Sequence, residues 1–579
     1  MSLSDSDLIA HWRGDWQAAL AHWSKYTRLH DPLLCVSSVQ AAQQGLSGSF
    51  AMIRLADKSV VIDLEQVRHH GLEEFGIEVL AHEIGHHVLA PATPSDHVRV
   101  IARIRKGLPT LEAHAPMVAN LFTDLLINDR LQRQEGLRMD EIYRHLAPVP
   151  GGGGKLWQFY LGIYEELWSL QRGTLGGPMT DARLLGDAWL GARVVRIYAR
   201  DWLVGASRFA ALVLPYLVED VEAMAPAASL FDTREAGNGS EPVGLSDIDG
   251  GELGDAMHPS ADPAITGQQG EGDGADKPAA PPTGGGQRRE PFEYGEILRA
   301  GGVVLSDEQI AARYYREQAL PHLVRFPARL QTHSTEPQLE GLEPWEFGDS
   351  FDEIDWLSTL AQSPRPVPGV TTVRRHYGEE QGETRNIEPV DLDLYVDSSG
   401  SMPNPQQRIS YLTLAGAIIA LSALRTGARV QASLWSGKHQ LISTSGFVRN
   451  EDEILAVLTG YFGGATAFPI HKLRDTYADR PPDARAAHIL HISDDGISTM
   501  FDSDERGNSG WDIAAMALLK ARGGGTMALN LWRDQLPWIK PARAQGWVIE
   551  TVTSFEQLIE FAHAFARRNY DPRAQRQAA

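Results

Sequence analysis

Residues 391–401 read DLDLYVDSSGS, and the fold of the C-terminal third follows from that stretch. A mostly apolar run over 392–396 passes directly into a carboxylate, two hydroxyls on alternate residues and a glycine, as a buried strand does where it ends in a functional turn at the rim of an open sheet. Working outward, short apolar runs at 430–435, 488–492, 527–532 and 547–552 alternate with amphipathic stretches at 411–425, 453–458, 513–521 and 555–567. That alternation predicts a mainly parallel sheet with helices on both faces, an α/β doubly wound, Rossmann-like domain over 391–579.

Three of the turns in this region carry hard oxygen donors. Asp397, Ser399 and Ser401 sit on alternate residues of the first turn; Thr466 closes a Gly-Gly-Ala-Thr turn; Asp494 and Asp495 follow the strand at 488–492. Oxygen sets of this kind suit Mg2+, Mn2+ or Ca2+. The arrangement resembles the von Willebrand factor A (VWA) domain and its metal-ion-dependent adhesion site, Asp-x-Ser-x-Ser followed by a distant Thr and a distant Asp. The resemblance covers about 391–568 and assigns the metal to Asp397, Ser399, Ser401, Thr466 and Asp494, with Asp495 as the rival of Asp494. It implies one coordination position left for an acidic side chain of a protein partner.

At 579 residues the chain is long enough for two or three domains. A net charge of -22 excludes a phosphate-binding surface of the nucleic-acid type, which needs Lys and Arg in excess. The single cysteine, Cys35, reads as a small buried hydrophobe in a reducing compartment. No basic start followed by an apolar stretch opens the chain, and no run approaches the ~18 consecutive apolar residues of a bilayer span. The expected location is cytoplasmic, with no membrane partner.

Between 232 and 291 the composition turns to Gly, Pro, Ala and acidic residues, predicting a disordered acidic linker. Asp247, Asp249, Glu252 and Asp255 within it lack the spacing of a calcium loop. Residues 292–390 read as a helical, Trp- and Pro-rich connecting region. Ahead of the linker, 1–231 reads as mostly helical, interrupted by two short strands at 50–55 and 60–64. The glycines at 151–154 before Lys155 fail the phosphate-loop pattern, with Val149 where its first glycine belongs and Leu156 where its hydroxyl belongs.

His82-Glu83-Ile84-Gly85-His86 lies on a helix expected over 80–90. Histidines four apart share a helix face, so both can reach one Zn2+ while Glu83 flanks the bound water as proton acceptor. A third ligand is needed, and Asp124, on one helix face with Asn120 and Asn128, is the choice. His87, His97, Glu112 and His114 are rivals assigned to surface or supporting positions.

These residues resemble a bacterial family of predicted metal-dependent peptidases in which a zincin-like N-terminal domain is joined to a C-terminal VWA-like domain. The resemblance rests on the HExxH helix, on His97 with Arg99, and on the Asn120, Asp124, Asn128 helix. It implies a zinc peptidase acting on a protein substrate, with a MoxR-type AAA+ ATPase as partner. The alternative is a non-catalytic VWA adaptor of an AAA+ ATPase, similar to chelatase subunits, with a structural N-terminal metal; those subunits lack HExxH.

Overall fold

The computed structural model describes residues 4–24, 27–146, 154–220, 242–248, 252, 256–267, 288–324, 329–330, 335–381, 387–531, 536–552, 557, 560–561 and 564–565. The chain divides into two compact units, residues 1–317 with 406–408, and residues 318–405 with 409–579.

The first unit is mostly helical with one small sheet. Ala51–Arg54 and Ser59–Asp63 pair antiparallel, as expected from the two apolar runs, and Leu33–Cys35 adds a parallel third strand. Ser59–Asp63 is central, which leaves Ala51–Arg54 on an edge. Cys35 is buried in a small cluster with Ala41, Leu46, Met52 and Val61.

Two apolar cores meet on one helix, Ala115–Arg133. Its Ile127 and Leu131 join Trp12, Trp16, Ile62 and Ile84, while its Phe122 and Leu125 join Phe159, Phe209 and Leu212. Fifteen of its 19 residues are buried, among them Asn120, Asp124 and Asn128. Carboxylates and amides are costly inside a helix with no solvent face unless each is paired, so these three call for an explanation from the site they form. The helix Trp202–Asp220 is long and apolar enough to cross a bilayer. Here its Phe209, Leu212, Val213 and Leu217 pack into the second core.

The expectation of a structureless linker over 232–291 needs correction for its described stretches. Asp262 accepts a 2.6 Å hydrogen bond from the Tyr198 hydroxyl and is paired with Arg208. Ile265 is fully buried, and its carbonyl accepts from Arg193 at 2.7 Å. Glu252 forms a buried ion pair with Arg289, whose Nε donates to the Leu245 carbonyl at 2.8 Å. A few anchored side chains hold down a segment that composition alone marks as solvated. The region 292–390 is likewise divided: Pro291–Ala300 belongs to the first unit, whereas the long hairpin Thr335–Pro344 with Val373–Gln381 belongs to the second.

The second unit is built on a six-stranded sheet, in the order Leu441–Ser443, Val430–Trp435, Asp391–Asp397, Ala487–Asp494, Arg522–Asn530 and Trp547–Thr551. All neighbours are parallel except the first pair. Both faces are covered. Leu394 and Val396 lie against the helix Tyr411–Arg425 at Gly416, while Tyr395 and Ile489 share a core with Ile513, Ala514 and Ala517 of the helix Gly510–Ala521. Strand order reverses between Asp391–Asp397 and Ala487–Asp494, and the cleft at the carboxyl ends of such a pair is where doubly wound sheets bind ligands. The helix expected over 555–567 falls largely outside the described residues, as do glycines 151–153.

Candidate metal centres

The helix Gly76–Val88 carries the HExxH residues, starting earlier and ending two residues sooner than the sequence pattern suggests. Its position is set by Gly85. A Cβ there would stand 2.5 Å from Ile127 Cγ2 and 2.6 Å from Trp23 Cζ2, so only glycine lets the helix Ala115–Arg133 come this close. The close approach brings Asp124 across to the histidines. Asp124 Oδ1 lies 3.3 Å from His86 Nε2 and 3.8 Å from His82 Nε2.

The rear nitrogen of each imidazole is fixed. His86 Nδ1 lies 3.0 Å from the Ala90 carbonyl, which can only accept, so it carries the proton. His82 Nδ1 lies 2.7 Å from Asn128 Oδ1. Behind that amide, the hydroxyls of Tyr143, Tyr160 and Tyr164 form a closed triangle at 3.2, 3.0 and 2.9 Å. Asn128 Nδ2 donates to Tyr143 at 3.0 Å and to Tyr164 at 2.9 Å. Three hydroxyls cycling their own protons accept both amide hydrogens, so the amide oxygen must face His82 and its Nδ1 must be the protonated one. Both Nε2 lone pairs then point toward Asp124. On the far side, Asn120 donates to Asp124 Oδ2 at 3.2 Å and leaves Oδ1 turned toward the imidazoles. Burial holds the Tyr160 and Tyr164 hydroxyls well above the usual phenol range, so the triangle stays protonated.

Glu83, His82, Asp124 and Asn128 line one small pocket of about 40 Å3, together with Phe50 and Tyr143. Glu83 is 1% exposed. The rivals stand elsewhere. His87 turns toward the Ala92 carbonyl at 3.5 Å, and Glu112 is bound by Arg105 at 2.6 Å. Neither His97 nor His114 joins the His82, His86, Asp124 group.

In the second unit, Asp397 ends its strand with Oδ1 accepting from the Ser399 amide at 2.8 Å and Oδ2 accepting from the Ser493 hydroxyl at 2.6 Å. Ser399 Oγ and Ser401 Oγ are 3.1 Å apart, and Ser401 Oγ donates to Asp494 Oδ2 at 2.9 Å. Thr466 is brought alongside by Gly496, where a Cβ would meet Thr466 Cγ2 at 2.1 Å. The turn before Thr466 is tied to the first turn by Gly400 N to the Gly464 carbonyl, 3.0 Å. Asp494 is therefore the acid joined to the cluster, whereas Asp495 is exposed at the start of the 3-10 helix Asp495–Phe501. Burial pushes the Asp397 carboxyl above its ordinary range, donors from Ser493 and Ser399 pull it back in part, and the nearby charge of Asp494 raises it again. Ser493 is a site residue the sequence pattern does not single out, although it sits one position before the matching acid.

Removing one hydroxyl from the triangle tests its structural weight. Tyr164→Phe strands one amide hydrogen of Asn128 and one tyrosine proton in a dry interior, at a cost of about 1–3 kcal/mol. Hydrogen–deuterium exchange across 115–133 should then quicken by roughly tenfold or more, while an unchanged rate would mean the triangle holds nothing.

The chain matches no protein-family model and no curated protein. Among solved structures it is similar, over 42% of its length, to the pilus adhesin SpaC from Lactobacillus rhamnosus GG, at 12% identity and a TM-score of 0.24. The chain spans only 36% of that adhesin, and so slight a likeness indicates neither fold nor function.

Proposed function

We propose that the chain is a zinc-dependent peptidase of the cytoplasm whose C-terminal sheet grips a protein through a divalent metal, working with an AAA+ ATPase of the MoxR type. The observation that carries the reading is the convergence of one ligand atom each from His82, His86 and Asp124 within 4.8 Å, beside a pocket that His82, Asp124 and Glu83 line. A tetrahedral zinc site with bonds near 2 Å spaces its ligand atoms roughly 3.3 Å apart, close to the 3.3 and 3.8 Å found between imidazoles and carboxylate. Zinc held there supplies Lewis acidity to water and to a peptide carbonyl.

The rest of the chemistry belongs to the chain. Glu83 accepts the proton of the attacking water, and Asn128 and the Ala90 carbonyl keep both imidazoles in the tautomer that can ligate. The strand Ala51–Arg54, at the sheet edge with Ala51, Met52 and Ile53 buried, follows directly on Phe50 and backs the pocket wall. In the second unit, the donors of Asp397, Ser399, Ser401, Thr466 and Asp494 are all oxygens, the set preferred by Mg2+, Mn2+ or Ca2+. A cation there relieves the raised carboxyl of Asp397 and leaves affinity for one more carboxylate, from the partner.

Metal analysis of the purified chain is the direct test. About one zinc per chain is expected, with none after His86→Ala. A chain that holds no zinc and cleaves no unfolded protein would instead be the adaptor. For the second site, Mg2+ at 100 times its dissociation constant should stabilise the second unit by about 2.7 kcal/mol. The Asp397→Asn chain should show no such thermal shift, and an equal shift in both would place the cation elsewhere.

A further inference from the structure

Ten of the 26 exposed large apolar side chains among the described residues lie between Leu339 and Tyr377. Phe347 and Leu357 are 80% exposed, and Phe351 is 69% exposed. These residues are mounted on a firm base. Trp345, 2% exposed, donates its indole N–H to the Ser350 carbonyl at 3.0 Å, and its ring lies 5.9 Å from that of Phe347 and 5.2 Å from that of Phe351. The helix Trp356–Gln362 is pinned to the hairpin through its buried Thr359, whose Oγ accepts from the Val373 amide at 3.1 Å. With Thr359 turned inward, Trp356, Leu357 and Leu360 face out. Covering large apolar side chains takes them out of water, so a face of this kind has much to gain from a partner.

Its charge says which partner. Residues 339–377 hold seven carboxylates and three arginines. Arg374 is already engaged by Glu343, Asp349 and Glu353, and Arg375 by Asp355. A cavity of about 750 Å3 opens between Trp356 and Tyr377, its wall carrying the four acids Glu343, Asp352, Glu353 and Asp355 against Arg374, Arg375 and His376. The Ser350 hydroxyl holds the Asp352 carboxyl below the usual carboxylate range, so it is charged at neutral pH. An occupant must offer apolar side chains to Phe347 and Leu357 and cations to the surplus acids. A second copy of this face brings the same negative charge and is disfavoured.

We propose that this face docks a lysine- or arginine-bearing amphipathic segment of a partner protein. Its apolar side covers Phe347, Phe351 and Leu357, and a basic side chain enters the cavity between Trp356 and Tyr377, where a cation gains from the rings as well as from the acids.

A fluorescent amphipathic peptide of leucine and lysine, titrated with the full chain at physiological salt and read by anisotropy, tests this. Saturable binding is expected, weakened about tenfold or more by Phe347→Ser with Leu357→Ser, a change that removes no charge and touches only exposed side chains. Asp352→Asn with Glu346→Gln should weaken it too. The proposal is overturned if the serine variant binds the peptide as well as the parent, since the attraction then reports only the overall charge of the chain. It is overturned equally if a leucine–glutamate peptide binds as tightly, or if the serine variant halves the sedimenting mass, which would give the face to a second copy. None of these outcomes depends on the zinc or magnesium sites.

Discussion

Glu83→Gln should lower peptide cleavage by about 10²–10⁴-fold, the usual worth of a general base, while the chain keeps its zinc. The separation follows from position. The convergent group is His82, His86 and Asp124, and Glu83 lines the adjoining pocket with His82 and Asp124 without belonging to that group. A glutamine fills the same space and leaves the helix Gly76–Val88 packed as before, but cannot take a proton from water. Zinc content by mass spectrometry, and cleavage of an unfolded fluorescent protein with and without the ATPase, read the two effects independently. Unchanged cleavage by a zinc-loaded Glu83→Gln chain would remove the peptidase reading. Zinc lost together with activity would make Glu83 a ligand.

Asp393→Asn should stabilise the second unit at alkaline pH by up to about 3 kcal/mol and leave it little changed near pH 4. Asp393 is wholly buried in the central strand, and burial pushes its carboxyl up to about 6 despite hydrogen bonds from Tyr477, Gln431 and Tyr395. Those bonds measure 2.9, 2.9 and 3.1 Å. The folded chain thus holds this proton more tightly than the unfolded chain does. The carboxyl favours folding fully below about pH 4, and the advantage is lost as pH rises through about 6, where an ionised group remains in a dry interior. Asparagine carries no charge to bury. Its oxygen still accepts from both tyrosines, and Gln431 can turn its amide to meet the new N–H2. Exchange protection of the strand Asp391–Asp397 in the two chains, compared at each pH from 4 to 8, should diverge from about pH 4 and reach full separation by about pH 7. Parallel curves would show that Asp393 keeps an ordinary affinity for its proton.

Much of the second unit was legible because its inner strands are buried on both faces and so read as short, largely apolar runs despite Asp393, Gln431, His488 and His491. The helix Tyr411–Arg425 and the strand Val430–Trp435 fall at the expected bounds. Leu441–Ser443 escaped notice because it is a three-residue edge strand with no buried side chain. Thr335–Pro344 escaped for another reason: glutamate, proline and glycine are poor strand formers, and only pairing with Val373–Gln381 makes it a strand. At the first site, the four-residue spacing revealed His82 and His86, and a shared helix face revealed Asp124. Nothing in local pattern could reveal that Tyr143, Tyr160 and Tyr164 stand behind Asn128, because those contacts join separate helices. Glu252, Asp262, Ile265 and Arg289 were hidden in the same way, inside a stretch whose average composition conceals its anchors.

The close crossing at Gly85 also places control of the site's spacing in a residue that contributes no polar atom to it. Ile127 and Trp23 fill the space that a Cβ at position 85 would need, so the gap between Asp124 and the imidazoles is set by packing remote from all three. Gly85→Ala would part the helices Gly76–Val88 and Ala115–Arg133 and widen the 3.3 Å approach of Asp124 to His86 with every polar side chain still in place.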